Sequence, residues 1–347
     1  MTTVIRVDPE APDPAALAPA AECLRRGGLV AFPTETVYGL GAHALDSAAV
    51  RRLFAAKGRP ANDPLIVHVD DIDRMQALVR DVPDAARQLA ARFWPGPLTL
   101  VLRRSEQVPD DVTAGLNTVA VRVPAHPVAR ALLIAAGVPV AAPSANLFSR
   151  PSPTRASHVM DDLAGRIDFV VDGGATQVGV ESTVLDLSGE VPTILRPGAV
   201  SIDMLREILP RVERRSVDAP SSGAMKSPGL LERHYSPRAP LTVYDGRDSV
   251  ARLVRDACSF IASGQRLGIM AADEDRDALS IVERHGPLAT IVSLGSERDH
   301  VTVASRLYAA IRELDSSGVD RILVRDFPGS NGLAVAVRDR LRRASVR

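Results

Sequence analysis

The part of this chain that most restricts its fold is the part without a pattern. Residues 220–240, PSSGAMKSPGLLERHYSPRAP, carry prolines at 220, 228, 237 and 240 and keep neither a helical nor a strand period. Each proline removes a backbone donor and biases the residue before it away from the helical region, so a regular element does not run through such a stretch. The chain is therefore expected to fold as two halves, and its 347 residues leave each half long enough to bury a core.

In the first half, Leu17, Ala21 and Leu24 recur at helical spacing between Ala15 and Arg26, and Gly27-Gly28 stop that helix before the apolar run 29–32. Short apolar strands are predicted at 65–69, 98–102, 119–123, 138–142, 168–172, 183–187 and 193–196, with helical stretches between several of them and a short helix near 202–208. Beyond 240, strands near 241–244, 266–270, 290–294 and 321–324 alternate with helices, one of which sets Ala304, Leu307, Ile311 and Leu314 on one face. That alternation predicts a small parallel sheet wound with helices.

Charge and cysteine usage narrow the function. Lys plus Arg and Asp plus Glu are 42 each, so no global field draws the chain to nucleic acid or to an anionic membrane. Cys23 and Cys258 are too far apart to specify a zinc site or a disulfide framework, and read as structural thiols. With no basic-then-apolar leader and no run of about 18 apolar residues, a soluble cytoplasmic protein is expected. No Walker loop, G-x-G-x-x-G fingerprint, Cys/His metal spacing or G-x-S-x-G elbow is present in the sequence.

Chemistry gathers in the first half. GGLVAFPTETVYGLG, residues 27–41, interrupts an apolar strand with proline, two threonines and a carboxylate, and Gly39 and Gly41 suit close approach by a ligand or a neighbouring chain. AAKGRPANDPLIVHV places Lys57 and Arg59 ahead of a proline-stiffened turn, fit for an anion such as phosphate or, more plainly, for the end of a helix dipole. His68 and Arg122 each lie on the face of a strand opposite its valines. A lone His is usually structural; a strand Arg needs a carboxylate, from a side chain or from a ligand. VAAPSANLFSRPSPT ends a strand in small hydroxyls suited to phosphate or ribose, or is a plain Ser/Pro loop, and Ser182 and Arg196 flank two later strands.

These blocks, with WPGPLTLVL, VAVRVPAHPVA, VDGG, GVESTVLD and LRPG, resemble the threonylcarbamoyl-AMP synthases, the long Sua5 form of the YrdC family, densely over residues 4–202 and more loosely beyond. One departure is SPGLLERHYSP, where the family commonly has a Met-Lys pair after the glycine. The resemblance implies a YrdC-like mixed twisted-sheet domain at 4–205, a linker and lid at 206–239 and a smaller Rossmann-like parallel α/β domain at 240–347. It implies a nucleotidyltransferase that joins L-threonine, bicarbonate and ATP, with magnesium accompanying ATP and no tightly bound cofactor. The product would serve N6-threonylcarbamoyladenosine formation through a downstream transferase, without direct tRNA binding. Thr36, His68, Arg122, Ala142 and Ser182 would surround threonine, with Arg122 on its carboxylate. Lys57, Arg59, Asp63, Thr118, Ser144, Ser152, Arg196 and Tyr235 would surround ATP, and Lys57, Arg59 and Arg196 would stabilise charge in catalysis. The competing readings are a carbamoyl-adenylate-forming maturation factor, disfavoured by the missing zinc-finger cysteines and acylphosphatase module, and a double-stranded RNA-binding module, disfavoured by the zero net charge.

Overall fold

The computed structural model describes residues 1–215 and 234–346, which divide into two compact units. The first holds residues 1–148 and 152–215, the second residues 149–151 and 234–346. Of the expected linker, residues 206–215 thus go with the first unit and 234–239 with the second; the rest, Pro228 and Gly229 included, lies outside the described residues.

The strands of the first unit are β1 (Thr3–Arg6), β2 (Val30–Pro33), β3 (Tyr38–His43), β4 (Ile66–His68), β5 (Leu98–Arg103), β6 (Thr118–Arg122), β7 (Val140–Ala141), β8 (Phe169–Asp172), β9 (Thr183–Asp186), β10 (Thr193–Arg196) and β11 (Glu213–Arg214). They join into one mixed sheet in the order β1-β8-β2-β3-β7-β4-β6-β5-β9-β10-β11. Successive side chains of β2 feed opposite cores, as a strand period of two requires. Ala31 joins Leu53, Val67, Leu100, Val121 and Leu185, whereas Val30 and Phe32 join Leu17, Leu24, Leu132 and Val171.

The helix Ser47–Lys57 is capped at its start by the Asp46 side chain and ends at Gly58, whose φ of 63° turns the chain out of the helix. This stop leaves Lys57 as the last helical residue, with Arg59 just beyond it. β2 and β3 form an antiparallel hairpin in which Pro33 pairs with Tyr38, so Thr34–Val37 is its loop. The interruption noted in the sequence is therefore a turn.

The second unit is a parallel sheet of β12 (Leu241–Tyr244), β13 (Leu267–Ala271), β14 (Ala289–Ser293) and β15 (Arg321–Arg325), in the order β12-β15-β13-β14. Helix His300–Ser316 buries the face predicted for it, Ala304, Leu307, Ile311 and Leu314. The wound parallel architecture expected of the second half is what is found.

Candidate active site

Strands β4, β6, β5, β9 and β10 are neighbours in that order, and polar side chains recur on all five. His68 at the end of β4 stands opposite Arg122 at the end of β6. Thr99 of β5 shares a 2.8 Å hydroxyl contact with Ser182, which precedes β9. Arg196, closing β10, donates from Nη2 to Ser182 Oγ and from Nε to its carbonyl, each at 3.1 Å. Gly198 lets this corner close: a Cβ there would stand 2.4 Å from the Thr183 nitrogen.

The hairpin loop lies against this row. Thr34 Oγ1 donates to the Val37 carbonyl at 2.7 Å and accepts from the Thr36 and Val37 amides at 3.2 Å, which fixes the turn. Arg122 then holds the loop: Nη1 donates to Thr36 Oγ1 at 3.0 Å, Nε to the Gly96 carbonyl at 3.1 Å, and Nη2 lies 2.6 Å from Glu35 Oε1. A side-chain carboxylate for the arginine on this strand is thus at hand in Glu35. Glu35 was not singled out from the sequence, although a carboxylate between two threonines in an apolar run was the signal for it.

His68 is buried beside Phe32 and Arg122. Desolvation, reinforced by the Arg122 charge, pushes its pKa down to about 3, so the ring is neutral. Its Nδ1 lies 3.3 Å from the Ile66 carbonyl. Ala142 donates its amide to the Ile66 carbonyl at 2.9 Å, and its Cβ would be 3.3 Å from a Cβ on Gly39. A Cβ on Gly41 would meet Val140 at 2.8 Å and Phe32 at 2.9 Å. Both glycines of the motif thus admit neighbouring protein chain.

The cations form a second group. Lys57 reaches away along the chain: Nζ donates to the carbonyls of Ser144, at 2.6 Å, and of Asn146. Arg59 lies 3.0 Å from the Asp63 carboxylate and donates to the Pro64 carbonyl at 2.9 Å. Burial raises the pKa of Asp63, while Arg59, Lys57 and Arg196 oppose the rise, which places these three charges around one carboxyl. Ser152 donates its hydroxyl to Glu181, a second carboxylate not singled out from the sequence.

Within the first unit, Thr118 stands apart from this row. Thr118 opens the strand that Arg122 closes; four residues along one strand face make about 13 Å, and it sits opposite Arg103 in a cleft with Arg104, Asn117 and Ser188. Tyr235 is buried in the second unit, its ring 5.5 Å from that of Tyr308 and 5.4 Å from the Arg340 guanidinium, with φ at 63°. Among the described residues no cluster of three or more His, Cys, Asp or Glu could hold a metal ion, and no helix is long and apolar enough to cross a membrane.

Residues 22–198 match the family described as "Telomere recombination", and residues 200–346 match the threonylcarbamoyl-AMP synthase C-terminal domain. Threonylcarbamoyl-AMP synthase of Pyrococcus abyssi is 44% identical over 94% of this chain and 93% of its own length; that of Bacillus subtilis is 41% identical over 95% and 92%. The crystal structure of P. abyssi Sua5 complexed with L-threonine superposes with a TM-score of 0.90 at 42% identity, covering 99% of this chain and 98% of that one. Escherichia coli YciO, at 26% identity and a TM-score of 0.51, covers 57% of this chain and 96% of its own. A twisted mixed sheet followed by a parallel α/β unit, with threonylcarbamoyl-AMP synthases as relatives over nearly the whole length, makes this a nucleotidyltransferase of two α/β parts. The chain belongs to the threonylcarbamoyl-AMP synthase family, in its long Sua5 form.

Proposed function

We propose that the chain joins L-threonine, bicarbonate and ATP into threonylcarbamoyl-AMP and releases pyrophosphate. The observation that carries this reading is the buried Arg122 guanidinium, held by Thr36 and Gly96 beside a neutral His68. A fixed guanidinium next to an uncharged ring and the Ala142 methyl suits the carboxylate of a small amino acid. The L-threonine in the P. abyssi relative supports the assignment. Thr36, His68, Arg122, Ala142 and Ser182 are assigned to threonine. Lys57, Arg59, Asp63, Ser144, Ser152 and Arg196 are assigned to the nucleotide. Thr118, further along the same face as Arg122, and Tyr235 complete the nucleotide set by resemblance to the family.

The chemistry needs position and positive charge more than a nucleophile. Threonine's amine must be unprotonated to take up the bicarbonate carbon, and the carbamate that forms is already an anion able to attack the α-phosphorus. Lys57, Arg59 and Arg196 would offset charge as pyrophosphate leaves, with magnesium entering as part of the ATP substrate. The product would pass to a transferase that modifies tRNA.

The test is pyrophosphate release with threonine, bicarbonate and ATP omitted in turn. Dependence on all three is expected; release that persists undiminished without both threonine and bicarbonate refutes the reading.

A further inference from the structure

We infer that Glu35 is a catalytic residue: its carboxylate takes the proton that threonine's ammonium must lose before the nitrogen can bond to carbon. The inference rests on the assignment of threonine's carboxylate to Arg122. Glu35 is 6% exposed, and neither carboxylate oxygen receives a hydrogen bond in acceptable geometry, although Arg122 Nη2 lies 2.6 Å away. The contact is therefore Coulombic and leaves both oxygens able to accept from a ligand. The loop that carries Glu35 is fixed from both sides. Its carbonyl accepts from the Val178 amide at 2.8 Å, and the next residue, Thr36, takes the Arg122 hydrogen bond and accepts at its carbonyl from the Gly179 amide at 3.0 Å. A buried, poorly satisfied carboxylate on a rigid turn is costly to keep unless a substrate completes it.

The other groups near Glu35 do not compete for the role. Arg122 from β6 is permanently charged. His68 at the end of β4 is a weak base by its burial, and its Nδ1 faces a carbonyl. His126, heading the helix Pro127–Ala136, feels the Glu35 charge but uses Nδ1 to accept from the Val128 amide at 3.2 Å, and burial lowers its pKa. The segment 176–179 brings no titratable side chain.

The step balances as follows. The ammonium N–H bond breaks toward Glu35, giving a free amine and a neutral carboxylic acid. The amine nitrogen then forms a bond to the bicarbonate carbon; hydroxide leaves that carbon and takes the second nitrogen proton as water. The carbamate anion remains for attack on phosphorus, and Glu35 returns its proton to solvent after product release.

The experiment is the pH dependence of threonine-dependent pyrophosphate release from pH 6.5 to about 9 in the full-length wild type, Glu35→Gln and Glu35→Asp, with threonine binding measured by calorimetry and folding by circular dichroism. Wild type is expected to be nearly flat above neutrality. Glu35→Gln should lose about 100-fold at pH 7 and regain about tenfold per pH unit, because only free amine from solution then reacts. Glu35→Asp should keep the flat profile at a lower rate. A Glu35→Gln profile that runs parallel to wild type at a reduced level would make Glu35 only a prop for Arg122 and overturn the inference, as would undiminished rate. Failure of the underlying assignment reads differently: Arg122→Lys would then bind threonine as tightly as wild type, whatever Glu35 does.

Discussion

Lowering the pH should destabilise the first unit through His68, and the size of the effect follows from the burial of that one ring. Its folded pKa is about 3 against an ordinary 6.5, so the unfolded chain binds the proton more tightly throughout that interval. Stability contributed by the neutral ring is complete above pH 6.5 and is lost as pH falls toward 3. At pH 5 the unfolded state has gained about 1.5 pH units of protonation that the folded state refuses, worth about 2 kcal/mol. A neutral replacement of similar shape, His68→Gln, removes the linkage while keeping the site uncharged. The sequence has one tryptophan, Trp94, whose indole donates to the Leu98 carbonyl at 2.7 Å in this same unit, so its fluorescence reports urea unfolding of the first half alone. The stability difference between wild type and His68→Gln should move by about 2 kcal/mol in favour of the variant between pH 7 and pH 5. A difference that stays constant across that range would mean the ring is hydrated in the folded protein, and the reasoning fails.

The buried Arg122 and Arg196 should separate by substrate. Arg122→Ala should raise the threonine requirement by about 30- to 1000-fold, from the loss of roughly 2–4 kcal/mol of charge-assisted hydrogen bonding, while Arg196→Ala acts on ATP. Titrating each substrate with folded variants checks this, and equal impairment of both substrates in both variants would contradict the division. Gly198→Ala should lower the melting temperature of the first unit by several degrees, since its Cβ would meet the Thr183 nitrogen at 2.4 Å and the Glu181 carbonyl at 2.8 Å; a thermal shift measurement suffices. Serine should be turned over only about fivefold less efficiently than threonine, one methyl against Ala142 being worth about 1 kcal/mol, as competition between the two in the pyrophosphate assay would reveal.

Apolar runs made much of this fold legible. The strands at 66–68, 98–103, 118–122, 183–186 and 193–196 each fall on or near a predicted run, because burial on both sheet faces leaves few polar interruptions. Tyr38–His43 was hidden by Gly39 and Gly41, which carry no side chain to show a period and are glycine because Ala142, Val140 and Phe32 crowd them. Thr3–Arg6 is short and half-polar, and tertiary pairing with Phe169–Asp172 makes it a strand. At the site, residue types were readable and partners were not. Lys57 read equally as an anion site or a helix-end cation, because nothing near it in sequence announces the Ser144 and Asn146 carbonyls. Arg122 called for a carboxylate, but which one depended on a loop 87 residues earlier.

The row from Thr36 to Arg196 has a consequence for synthesis on the ribosome. Its members sit on neighbouring strands or on the turns beside them, yet come from positions spread across 160 residues of chain, and β10 is among the last to be made. A nascent first half lacking residues 183–196 has Arg122 and Lys57 but neither Ser182's strand nor Arg196 beside them. The full set of substrate contacts is therefore not available early in translation to guide folding. It is completed only once the final strands have closed against β5, and the earlier stages rest on the apolar clusters.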